Sequence, residues 1–303
     1  MARLSKFRSD DARAAYLRLY DAALSASPVQ VTESDVETSF GSTHVLHAGD
    51  RSKPSIVALH GSSISSTSWV PLLGTLTASH SVTMIDAIDE AGKSIAAKPT
   101  KTIADIVTWL DETMRALDIQ RSAFVAASRG TWISAHYATA FPEKVERLAL
   151  LCPVGIAGGM SPSFMVRGLA PLVLPLKEGH VWRVLDTMVM PRNRKLLREQ
   201  PWMPSMSQFI CGAMHFKMSF RNAQPRPWPF RSDCDLDRLR AVPVLAVIGR
   251  NESALNGPKA AGMLRESLPN ARIEVVDDAN HMVMVDQAAT VEKLLVEFLG
   301  DVN

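Results

Sequence analysis

One short stretch limits what this chain can fold into: Arg121 to Gly130, reading RSAFVAASRG. Within it, Ala123-Phe124-Val125-Ala126 is an unbroken apolar run, the pattern of a strand buried on both faces of a parallel sheet. Helical spacing takes over at once in Thr131, Trp132, Ile133, Ala135, His136 and Ala138. Only Ala127-Ser128-Arg129-Gly130 lies between the two, too little for a gradual loop. A serine in so sharp a strand-to-helix turn, flanked two before and two after by Ala126 and Gly130, has the form of a nucleophile elbow. The turn lifts the hydroxyl to the edge of the sheet and sets it at the positive end of a helix dipole. Small-x-Ser-x-small also arises by chance in ordinary strand-to-helix loops. The elbow therefore needs partners elsewhere in the chain.

The surroundings supply a matching architecture. Strands are expected at Val36–Phe40 and Thr43–Leu46, a hairpin around Gly41-Ser42, and at Ser55–Leu59, Ser81–Asp86, Val145–Cys152, Val242–Ile248 and Arg272–Val276. Helices are expected at Asp10–Ala26, near Trp69–Ala78, after a Thr102 cap with Asp105 placed for a capping box, at Asp233–Arg240 and at Thr290–Leu299. The elbow helix should stop at Phe141-Pro142. Strand-helix-strand alternation at this spacing predicts right-handed crossovers and a mostly parallel, doubly wound α/β sheet. The alternation lapses between Pro153 and Arg231. That stretch holds Met160, Met165, Met188, Met190, Met203, Met206, Met214 and Met218, with Trp182, Trp202 and Trp228. It is expected to form a helical insertion, either plain core or an adaptable apolar pocket, with Pro225 to Phe230 (PRPWPF) leading back. The expected division is a core of 1–152 and 232–303 and a helical cap of 153–231.

Composition narrows the classes. With 303 residues, 47% hydrophobic and 21% charged, the chain can bury one large α/β core. A net charge of +2 gives no electrostatic reason to expect nucleic acid or an anionic membrane as partner. No window approaches eighteen apolar residues, and the first residues, MARLSKFRSDDARAAYLRLYDAAL, lack the apolar run of a signal peptide. Cys152, Cys211 and Cys234 are an odd number at no metal-ligand spacing, expected to be reduced thiols in the cytoplasm. No cofactor or metal is expected. The partner expected is a small-molecule substrate.

A serine nucleophile needs a base, and the base an orienting carboxylate. Ligands bind beyond the carboxyl ends of parallel strands, so partners should follow strands directly. Gly249-Arg250-Asn251-Glu252 follows one strand and offers Glu252; Asp277-Asp278-Ala279-Asn280-His281 follows the next and offers His281. Asp277 and Asp278 are rival carboxylates close to that histidine. Two backbone amides would stabilise an oxyanion, that of Arg129 and one after His60-Gly61, at Ser62. His60 itself reads as part of the turn, and His136 as a packing residue. The Arg129 side chain is expected to pair with an acid such as Glu90 or Glu252, the alternative being that it faces the pocket and meets a carboxylate on the substrate.

The order Ser128, Glu252, His281 is that of the α/β-hydrolases, and the chain resembles that superfamily over nearly its whole length. Within it, the chain is similar to bacterial carboxylesterases of the Bacillus carboxylesterase NP type. The likeness lies in Ser39-Phe40-Gly41-Ser42-Thr43-His44-Val45-Leu46, in His60-Gly61-Ser62-Ser63-Ile64-Ser65-Ser66-Thr67-Ser68-Trp69, in Gly92-Lys93-Ser94 and in an acid loop ending in Glu. The resemblance implies an α/β-hydrolase fold with a helical cap before the acid-bearing strand. It also implies ester hydrolysis through Ser128, Glu252 and His281. Two departures are Ala126, where Gly is usual, and Arg129, where an uncharged residue is commoner. The same three residues also serve C–C bond hydrolases and tailoring enzymes that eliminate or cyclise, and the fold serves non-catalytic small-molecule receptors.

Overall fold

The computed structural model describes residues 6–7, 9–90, 92–156, 158, 161, 164, 178–210, 214–215 and 234–300. Eight strands carry the main sheet: β1 Val31–Thr38, β2 Gly41–Ala48, β3 Ser55–Leu59, β4 Ser81–Ile85, β5 Ser122–Ala127, β6 Val145–Leu151, β7 Val244–Gly249 and β8 Arg272–Val276. They lie in the order β8-β7-β6-β5-β3-β4-β2-β1, and Ile95–Ala96 adds a short pairing to β2. From β8 through β4 every neighbour is parallel, while β1 and β2 run antiparallel at the edge. The carboxyl ends of β3, β4, β5, β6, β7 and β8 therefore open on one edge of the sheet, where ligands bind in such folds.

Both faces are covered. The main helices are α1 Asp10–Ser25, α2 Ile103–Ala116, α3 Arg129–Ala140, α4 Glu178–Leu185, α5 Arg194–Arg198, α6 Met203–Gln208, α7 Gly257–Ser267 and α8 Ala288–Gly300. Successive strand residues point to opposite faces. Val57, Leu59, Phe124, Ala126, Leu148 and Leu150 join a core with Trp109 of α2, Ile133 of α3 and Leu264 of α7. Ile56, Ala58, Ala123, Val125 and Ala149 join a second core with Tyr16 and Tyr20 of α1 and Val291 and Leu295 of α8. The period of two thus sorts one set of strands into two separate cores.

Several expected boundaries move, each for a local reason. The hairpin turns at Ser39-Phe40, not Gly41-Ser42. The Thr38 hydroxyl accepts from the Phe40 amide at 3.2 Å and donates to the Gly41 carbonyl at 2.8 Å, so Thr38 and Gly41 already face each other. Near Trp69 the single expected helix is a 3₁₀ segment, Ser66–Leu72, followed by one turn at Leu73–Leu76. Pro71 within it has no amide to give to an α-helical ladder. α7 is an element that the sequence patterning does not predict. Its start signals are nonetheless present, Asn256 accepting from the Lys259 amide at 3.1 Å with Pro258 in the first turn. The Thr102–Asp105 capping box forms as expected at the start of α2.

Between β6 and β7, helices α4, α5 and α6 gather Val181, Leu185, Leu197, Trp202, Met203 and Met206 into a third, smaller core. Val285 belongs to that core, and Ile64 and Met282 pack against it. Met214–His215 breaks the helical expectation by pairing antiparallel with Lys6–Phe7. PRPWPF, Met160, Met165, Met218, Trp228 and Cys211 lie outside the described residues. No helix among the described residues is long and apolar enough to cross a membrane.

The elbow is packed tightly against the end of β3. A Cβ at Gly130 would overlap the Leu59 and His60 carbonyl oxygens, both fixed backbone at the end of β3. Gly130→Ala should therefore destabilise the protein by roughly 3 kcal/mol or more, since overpacking against backbone has no side chain to relax. The urea midpoint of the purified variant measures this, and a midpoint equal to wild type would contradict it.

Candidate active site

Ser128 ends β5 and caps α3 with φ 49° and ψ −118°, a left-handed conformation that a non-glycine residue adopts only when its surroundings impose it. The surroundings do so from three sides. Its amide donates to the Leu151 carbonyl of β6 at 2.9 Å, and its own carbonyl accepts from the Thr131 amide at 2.9 Å. The Gly61 position leaves only 3.2 Å between a would-be Cβ and the Ser128 Cβ. Ala126, in the usual glycine place, is buried in the strand core without displacing the turn.

The structure brings Ser128, His281 and Glu252 into one hydrogen-bonded line. His281 Nε2 lies 3.0 Å from the Ser128 hydroxyl, and its Nδ1 lies 2.9 and 3.0 Å from the two Glu252 carboxylate oxygens. A carboxylate can only accept, so Nδ1 carries the proton and Nε2 is left to accept from the serine. Such a line can draw a proton from a serine hydroxyl and hold the resulting imidazolium. The two rival carboxylates are elsewhere: Asp277 pairs with Arg250, and Asp278 lies 3.2 Å from Arg192, both at the surface.

Supporting residues that motif spacing did not single out fix these loops. The Asn280 side-chain oxygen accepts from the amides of Ser253 at 2.8 Å and His281 at 2.7 Å, tying the acid loop to the base loop. Its nitrogen donates to the Thr187 carbonyl at 3.0 Å, in the segment after α4. Asp286 accepts from the amides of Asn280 at 2.8 Å and Met190 at 2.9 Å and from the Asn193 side chain at 2.8 Å. Their signal in the sequence is position: one directly precedes the histidine and the other follows it by five residues. Cys152, at the carboxyl end of β6, brings its sulfur, Glu252 and His281 within 4.8 Å of one another. Burial, then the Glu252 charge, push that thiol well above its ordinary pKa, so it stays protonated there.

The opposite wall is the turn after β3. His60 hydrogen-bonds the Gly61 carbonyl through Nδ1 at 2.8 Å and receives the Ala87 amide at Nε2 at 3.0 Å. Burial lowers its pKa, which keeps it neutral for this structural duty. The Arg129 amide sits at the first position of α3. The Arg129 side chain is 1% exposed and turns away from solvent to Asp89 at 2.6 Å, with Glu90 at 3.6 Å. Asp89 is thus the main partner. Glu90, expected, is the second, and Glu252 is committed to His281. His136 packs edge-on against Trp132 at 4.8 Å.

With this geometry in place the family is plain. A model described as the alpha/beta hydrolase family matches residues 56–294, and the chain belongs to that family. Within it the likeness is to carboxylesterases. The chain is 27% identical over 289 residues to the uncharacterized carboxylesterase nap of Bacillus subtilis (strain 168), covering 94% of this chain and 92% of that protein. It is 23% identical over 289 residues to carboxylesterase YbfK of the same organism, covering 94% and 93%. Its fold matches the crystal structure of naproxen esterase (carboxylesterase NP) from Bacillus subtilis with a TM-score of 0.82 at 24% identity, covering 95% of this chain and 98% of the other.

Glu90 carries the clearest titration signature beside the site. Burial, opposed by Arg129 and reinforced by Asp89, raises its pKa from 4.5 to about 7. A carboxyl whose folded value lies above its unfolded value binds its proton more tightly when folded. Stability is thus fully retained below pH 4.5 and falls as pH rises to about 7, by on the order of 3 kcal/mol. Glu90→Gln should remove that fall, so its stability relative to wild type should grow between about pH 5 and pH 8. Urea unfolding of both proteins at the two pH values measures it, and a constant difference would contradict it.

Proposed function

We propose that this protein hydrolyses carboxylic esters of small apolar molecules through an acyl-enzyme, with Ser128 as nucleophile, His281 as general base and acid, and Glu252 as orienting acid. The observation that carries the reading is the unbroken line Glu252–His281–Ser128 meeting a strained elbow at the carboxyl edge of the sheet. Ser128 attacks the ester carbonyl while His281 takes its proton; the same proton then goes to the departing alkoxide. Water repeats the sequence on the acyl-enzyme. Glu252 holds the useful tautomer and stabilises the imidazolium. The amides of Arg129 and Ser62 face the developing oxyanion. The carboxylesterases nap and YbfK support ester hydrolysis over C–C cleavage, elimination or a receptor role for this chain.

The surroundings of the base favour an apolar substrate. The Phe164 ring centroid lies 5.9 Å from that of His281, and Ile64 and Met282 link the site to the core of α4–α6. We take residues 153–231 as a helical cap over the core of 1–152 and 232–303. The two described cysteines, Cys152 and Cys234, are buried thiols, which fits a reducing compartment such as the cytoplasm.

Knocking out the nucleophile tests the triad, and turnover of p-nitrophenyl esters by the wild type separates this reading from C–C cleavage and elimination. Ser128→Ala should lower kcat by on the order of 10⁶-fold with the fold intact. Glu252→Gln should cost about 10⁴-fold, with Asp277→Asn and Asp278→Asn close to wild type. Steady-state kinetics on p-nitrophenyl butyrate checks all four, and a crippled Asp277→Asn or Asp278→Asn would reassign the acid. Substrate size gives a second measurement. Each methylene buried in an apolar pocket contributes about 0.8 kcal/mol, roughly fourfold in kcat/KM, until the pocket is full. A series of p-nitrophenyl esters from acetate to octanoate should rise accordingly; an acetate optimum would rule out the apolar site.

A further inference from the structure

Asp89 and Glu90 are consecutive acids in the loop after β4, and both are buried, at 2% and 1% exposure. One guanidinium, Arg129, serves both. The Thr100 hydroxyl adds a hydrogen bond to Asp89 at 2.9 Å. A second buried carboxylate beside an ion pair that is already balanced costs stability. A simple wish to neutralise Arg129 therefore accounts for Asp89 and leaves Glu90 unexplained.

What Glu90 touches explains it. One carboxylate oxygen faces Arg129, and the other accepts the Ser63 amide at 3.0 Å. Ser63 has φ 62°, a conformation that a serine does not hold unaided. The peptide before it belongs to Ser62, whose amide is one expected oxyanion donor; Arg129 supplies the other from its own backbone. The same turn rests on the nucleophile, with the Gly61 position within 3.2 Å of the Ser128 Cβ. Glu90 thus reaches the residue carrying one donor by its side chain and the neighbour of the other donor by that neighbour's amide.

We propose that Asp89, Arg129 and Glu90 form a buried brace that sets the spacing of the oxyanion hole, with Glu90 as the positioning residue that holds the Gly61–Ser63 turn against the Ser128 elbow. This rests on the ester-hydrolase reading above. An oxyanion donor out of place is felt only when charge develops, so its loss lowers kcat and leaves KM nearly alone.

Three variants of the full chain separate reach from charge. Glu90→Ala removes the acceptor. Glu90→Asp keeps the charge but withdraws it by about 1.5 Å, one carbon–carbon bond. Glu90→Gln keeps an acceptor oxygen at the right distance without the charge. Glu90→Ala and Glu90→Asp should each lower kcat on p-nitrophenyl butyrate by about 10²-fold with KM within about twofold. Glu90→Gln should keep kcat within about threefold of wild type. Should the alanine variant fail to fold, the Asp-against-Gln comparison decides the same question. Wild-type kcat in Glu90→Asp, a loss in KM alone, or a Gln variant as impaired as the Asp variant would each overturn the brace. Amide hydrogen exchange over residues 60–66, read without any substrate, should speed up in the Ala and Asp variants and stay at the wild-type rate in Gln. Unchanged exchange in all three would overturn the brace by itself. A wild type that turns over no ester would instead overturn the ester-hydrolase reading, leaving the exchange measurement to decide the brace.

Discussion

The structure depends on a backbone contact more than on any side chain: the approach of Gly130 to the carbonyl oxygens at the end of β3. That approach lets α3 start with no loop after β5 and forces Ser128 to φ 49°. A left-handed serine costs free energy, and the parallel neighbours on both sides of β5 over-determine it. Because β3 is one of those neighbours, its continuation through His60 and Gly61 must turn beside the serine. His60 completes that turn only in its neutral form, since one nitrogen donates to a carbonyl and the other accepts from an amide. Burial supplies that condition. Local strain, strand order and the protonation of a buried imidazole are thus linked consequences of one close packing.

How much of this was legible in the chain follows from the range of the forces involved. Strands β3, β5 and β6 are continuous apolar runs, and a run needs no partner to be recognised. Ser128, Glu252 and His281 could be nominated because each follows such a strand, and strand ends of a parallel sheet share one edge. The choice of Glu252 over Asp277 and Asp278 was not available from order alone. It depends on which loop turns inward, and that is set by Asn280 gathering the Ser253 and His281 amides. α7 escaped because Gly257 and Gly262 dilute its helical pattern, although Asn256 and Pro258 mark its start. The pairing of Arg129 with Asp89 was hidden for a similar reason: forty residues separate them, and only the packing of α3 on the loop after β4 brings them together.

The base loop carries a second kind of coupling. Asn280 and Asp286 bind both the loop that presents His281 and the segment running from Thr187 to Asn193. The Met282 amide adds a hydrogen bond to the Met188 carbonyl at 2.9 Å. Val285 sits in the same apolar core as Leu185 and Leu197. Helices α4–α6 and the segment after α4 therefore share hydrogen bonds and a core with the segment that carries His281.

Charge placement separates the two walls of the site. On one wall, Glu252 faces His281 and takes a further hydrogen bond from the Ala254 amide at 2.8 Å. On the donor side, Asp89 and Glu90 face a guanidinium that cannot give up its proton. An imidazole beside a carboxylate can take up or release a proton, whereas a guanidinium keeps its charge. An arginine at the elbow, unusual for an uncharged position, makes sense in that light. Its side chain is buried against Asp89 and Glu90, and that fixed cation holds the residue at the start of α3 from behind.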